Sequence, residues 1–100
     1  MKSSGDDVSE LERLADVLRP ICHTSRVKWD REWERRFPLL FAMGIKMVHS
    51  IDLRRVDGDL VVEFWKGFPD DDFISKSRFE TFDDALLACK TWLLKDSEEA

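Results

Sequence analysis

Four side chains in this 100-residue chain carry a thiol or an imidazole: Cys22, His23, His49 and Cys89. Cys22 and His23 would supply a thiol and a base. Adjacent residues on a strand or helix point in different directions, however, and no third group is evident to orient the imidazole. The same four residues are a conceivable zinc set, yet the paired short spacings of structural zinc sites are missing. Asp57-x-Asp59 and Asp70-Asp71-Asp72 offer hard oxygen ligands, but without the alternating acids and closing Glu of a calcium loop. With glycine only at positions 5, 44, 58 and 67, neither a dinucleotide loop nor a Walker-type phosphate loop can be built. The expectation is therefore no catalytic residues, no cofactor and no metal.

The charged residues carry more information. Between Arg19 and Arg36 six bases face three acids, whereas between Asp57 and Asp84 nine acids face three bases; the net charge of −5 averages two unlike stretches. An acidic total forfeits most of the counterion release that drives nucleic-acid binding, so direct contact with nucleic acid is an outside reading, as is an enzyme. An acidic surface suits a partner with a basic one, and Asp57, Asp59, Asp70, Asp71 and Asp72 are the residues expected to form it. The chain's size and sign fit an inhibitor, an immunity-type protein or a phage-type antagonist, acting on a toxin or a nucleic-acid enzyme by imitating phosphate. The alternative is a small homodimeric adaptor or structural protein that docks through the aromatic stripe Trp29, Trp33, Phe37 and Phe41.

The elements that must hold these residues follow from the apolar spacing. Val8, Leu11, Leu14, Ala15 and Leu18 paint one face of a helix that Pro20 ends. From Ser25 the four-residue steps Trp29, Trp33 and Phe37, continued by Leu40 and Phe41, predict a second helix, kinked at Pro38 and stopped at Gly44, with Glu32 and Arg36 paired on its side. After Ile45 the period becomes two, and Asp57-Gly58 between the runs predicts a hairpin pairing Val56 with Asp59, Leu53 with Val62 and Ile51 with Phe64. Gly67, Pro69 and Asp70–Asp72 read as a loop and Phe73–Phe79 as a third strand. A last helix opens at Thr81 as N-cap, with Asp83 and Asp84 in its first turn. Phe82, Ala85, Leu86, Cys89, Trp92 and Leu93 form its buried stripe.

The predicted fold is α+β: two N-terminal helices, a three-stranded antiparallel sheet and a C-terminal helix packed on one sheet face. Residues 8–95 form the domain, between flexible acidic termini at 1–7 and 96–100. The helix–strands–helix order resembles that of double-stranded RNA-binding domains, but Asp83 and Asp84 stand where those domains place phosphate-gripping lysines. The longest uncharged run, Phe37–Ile45, is nine residues, too short to span a membrane. No apolar segment reads as a signal peptide and no cysteine pair as a redox motif, which points to the cytoplasm.

Overall fold

The three-and-four spacing of the N-terminal apolar residues forms the helix it predicts. In the computed structural model, which describes residues 4–67 and 70–98, α1 runs Ser4–Leu18 and so begins inside the stretch assigned to a flexible tail. Leu11, Leu14, Ala15 and Leu18 are all buried. Each such leucine contributes roughly 1.5–3 kcal/mol by leaving water. A short 3-10 turn, Arg19–Ile21, carries Pro20 and ends the helix.

The second helix does not exist. Residues Cys22–Glu32 form strand β1 and Arg35–Gly44 strand β2, an antiparallel hairpin joined through Trp33 and Glu34. Four-residue steps are even, so they serve a strand's period of two as well as a helix's period of 3.6, and the aromatic spacing could not separate the two. Pro38 sits within β2 opposite Trp29. The ladder from β2 to the next strand spans only Leu40–Met43, so no pairing on that side needs a proline N–H. Glu32 pairs with Arg54 at 3.3 Å rather than with Arg36.

The second half follows the predicted register. Strands β3 (His49–Val56) and β4 (Asp59–Lys66) pair Val56 with Asp59, Leu53 with Val62 and Ile51 with Phe64. Asp57 (φ 52°) and Gly58 (φ 88°) are both left-handed, as a two-residue hairpin turn that follows strand twist requires. Strand β5, Asp72–Phe79, is the expected third strand of that half, with a bulge that leaves Ile74 unmatched. The sheet thus has five strands, not three, in the order β1-β2-β3-β4-β5, and one helix precedes it, not two. Helix α2, Phe82–Leu94, starts at the predicted cap, where Thr81 Oγ1 accepts from the Asp84 N–H at 3.2 Å. Pro69, part of the expected loop, and the ends of both expected tails lie outside the described residues.

Both helices lie on one side of the sheet, α1 against β1 and β2 and α2 mainly against β3 and β4. They run parallel: the Arg13 guanidinium stacks over Phe82, while Pro20 and Ile21 share a hollow with Leu93 and Leu94. Beneath them Val27, Leu40, Leu53, Val62 and Ser77 form one row across all five strands, and Ser25, Ala42, Ile51, Phe64 and Ser75 the next. Trp92 pins α2 down by donating its indole N–H to the carbonyls of Ser50 (3.0 Å) and Trp65 (3.1 Å).

A second anchor lies beyond α2, in the 3-10 turn Lys95–Glu98. Asp96, the first residue of the expected C-terminal tail, is wholly buried. It accepts hydrogen bonds from the backbone N–H groups of Lys46, Val48 (2.9 Å) and His49 (2.7 Å). The His49 ring lies 3.3 Å from it and edge-on to Trp92. Gly44 is required here, because a Cβ at that position would stand 2.4 Å from Asp96 Cβ. Burial pushes the Asp96 carboxyl up, but the hydrogen bonds from His49, Lys46 and Val48 outweigh it and hold the group below the usual range.

Candidate functional site

The four residues with soft chemistry lie in unlike surroundings. Burial pushes the Cys22 thiol up to about 11, helped by Asp96, and Cys89 up to about 12, helped by Cys22, so neither is a thiolate at neutral pH. His23 is exposed on β1 while His49 is committed to Asp96 and Trp92. Among the described residues no three His, Cys, Asp or Glu side chains are grouped to hold a metal ion. Among them, too, no helix is long and apolar enough to cross a membrane.

The sheet face opposite the helices presents a different chemistry. Its side chains form the row Arg26, Phe41, Asp52, Glu63, Lys76 across the five strands, with bases at both edges and two carboxylates side by side in the centre. A trough of about 580 Å³ opens on this face, floored by Phe37, Leu39 and Val61 and walled by Asp30, Arg54, Lys76 and Arg78 among others. Asp52 is half-buried in it. Burial raises its carboxyl, Lys28 pulls it back, and Glu63, Asp30 and Asp71 push it further up. Directly opposed like charges destabilise a strand pair. Asp52 and Glu63 stand eleven positions apart in sequence, and the signal that finds them is the Asp57-Gly58 hairpin register, which sets one opposite the other.

The predicted acidic surface does not gather as one patch. Asp57 and Asp59 lie at the β3–β4 turn, where Asp59 pairs with Arg78 at 3.1 Å, whereas Asp70–Asp72 lie at the other end of β4. Strand rise puts those ends about 23 Å apart. Asp71 belongs electrostatically with Asp52 and the open face.

The aromatic stripe is divided as well. Phe37 and Phe41 point to the open face, under Arg54 (4.2 Å) and Lys28 (5.0 Å). Trp29 shares the helix-side face with Pro38, lies beneath Arg36 at 5.3 Å and is 46% exposed. Trp33 stands at the tip of the β1–β2 hairpin, 91% exposed and at φ 60°. The outer part of this hairpin, from Trp29 to Pro38, extends past the ladder to β3 and forms an arm that Arg54 braces through Phe37 midway along it and Glu32 next to its tip.

The class defined by this geometry is an α+β meander with one helix-covered face, one charged open face and an aromatic arm. No protein-family model matches the chain, and neither a curated protein nor a solved structure matches it.

Proposed function

We infer that the protein works by contact rather than by catalysis, as a binding domain whose docking element is the β1–β2 arm. Trp33 carries this reading. An indole offers roughly 150–250 Å² of surface to bury, and Trp33 leaves nearly all of it in water while occupying a left-handed backbone conformation. That conformation costs a non-glycine residue roughly 1–2 kcal/mol. Glycine would sit there more cheaply, so both costs are repaid only by something outside the monomer. Arg35 and Arg36 flank it, and Trp and Arg are the residue types that dominate binding energy at interfaces. The test is capture from a lysate of the native host, wild type against Trp33→Gly. Partners held by the wild type and lost by a folded variant support the reading; identical captures overturn it.

A second reading keeps the acidic surface and moves its centre to the open face, where Asp52 and Glu63 stand side by side and a further cation would relieve their repulsion. A partner presenting lysine or arginine would supply one, in the manner of an inhibitor or immunity-type protein seated on a basic surface. Changing Asp70, Asp71 and Asp72 together to Asn should weaken capture of such a partner and flatten its salt dependence, with the melting temperature nearly unchanged. Equal affinity of the triple variant at every salt concentration would discard this reading.

A further inference from the structure

Strand β1 is an edge of the sheet, and its free side is specific. Within its middle and outer part, two backbone groups bond away from β2: the Arg31 N–H donates to Asp30 Oδ1 at 2.8 Å, and the Ser25 carbonyl accepts from Arg19 Nη2 at 3.1 Å. Residues of one parity turn their N–H and C=O to the same side of a strand, so Val27 and Trp29 also address the open edge. The residues of the other parity, Arg26, Lys28, Asp30 and Glu32, place their side chains on the open face in the order plus, plus, minus, minus. Such a row is complementary to its own reverse.

We propose that a second copy of this chain pairs antiparallel along β1, on a two-fold axis at Trp29, to give one sheet continuous through both copies. The proposal rests on the reading of the arm as a contact element and names its partner. In this register Lys28 faces Asp30 of the second copy and Arg26 faces its Glu32, each twice, so all four pairs are of opposite charge. Sliding by two residues sets Lys28 against Lys28 in one direction and Asp30 against Asp30 in the other. A slide of one residue breaks the backbone parity. The two half-exposed Trp29 indoles meet across the axis on the helix-side face. Asp30 gives up the Arg31 N–H, which then donates to Val27 of the second copy. Charged edge strands ordinarily repel further strands; in this register alone all four charges of the row meet an opposite charge.

Sedimentation equilibrium between micromolar and millimolar concentrations, at low and high salt, should show a dimer that weakens as salt rises. Lys28→Asp alone and Asp30→Lys alone should each weaken association at least about tenfold. The double exchange restores the charge pairs and should return association to near wild type. Mixing the two single variants should produce a heterodimer. A separate variant, Trp29→Cys, should cross-link to itself under mild oxidation, since hydrogen-bonded antiparallel partners have Cα atoms about 5.5 Å apart, within disulfide reach. A wild type that stays monomeric at every concentration overturns the proposal, as does a double exchange no better than either single variant. If that monomer still loses its captured partner on Trp33→Gly, self-pairing fails while the arm remains a contact site for another protein. A dimer whose captures ignore Trp33→Gly supports self-pairing and removes the wider reading of Trp33.

Discussion

Trp33 and Asp52 each hold a position that stability alone would fill differently, whereas Asp96 stabilises the fold through the hydrogen bonds it accepts. If Trp33 serves contact, Trp33→Gly should leave thermal stability unchanged or raise it by about 1 kcal/mol, because it relieves the left-handed strain and buries nothing less. Asp52 and Asp96 should act in opposite directions with pH. The Asp52 carboxyl is raised in the folded chain, so its penalty is absent at acid pH and develops as pH climbs from the ordinary aspartate value of about 3.9 through the higher folded one. Asp52→Asn should therefore raise the urea midpoint at pH 7 and leave it unchanged at pH 3. The Asp96 carboxyl is lowered, so its contribution is present above the ordinary value and is lost as pH falls through the folded one. Asp96→Asn should cost about 3 kcal/mol at pH 7, since an amide cannot accept from every N–H that the carboxylate serves. The same variant should flatten the acid limb of the stability profile.

Single elements show what the sequence discloses and what it withholds. The β1–β2 and β3–β4 hairpins are each held by a two-residue turn, but Asp57-Gly58 announces its turn and Trp33-Glu34 does not, because Trp at a left-handed position is not a turn residue on any local preference. The register around the first was readable to the residue; around the second even the element type was lost. β1 compounds the difficulty, with exposed charge along most of its length and little β-branched content to mark it as a strand. Helix α2 lies at the other extreme, since its cap, first-turn acids and buried stripe all agree. Thr81→Ala should cost about 1 kcal/mol, measured by chemical denaturation, through loss of the bond from Asp84 N–H. The candidate sites were legible as residues but not as places. Asp57 and Asp59 part from Asp70–Asp72 because they lie at opposite ends of β4, and Trp29 from Phe37 because the four-residue steps between them fit a helix as well as the two strands they occupy.

At the scale of the whole molecule, the strand order has a kinetic meaning. Every strand pairs with its neighbour in the chain, so the sheet can assemble hairpin by hairpin and no strand waits for a distant partner. Sheets built from local pairings avoid the slow loop closures that retard most β-rich proteins. Some contacts stand outside that scheme, notably the packing of α1 on β2 and the grip of Asp96 on residues 47 to 50 positions earlier in the chain. These should form after the rate-limiting step. Leu14→Ala and Asp96→Asn should accordingly accelerate unfolding and leave the refolding rate nearly unchanged in stopped-flow measurements, whereas Leu53→Ala, at the centre of the meander, should slow refolding. The residues that close the structure are then the ones that decide how long it persists.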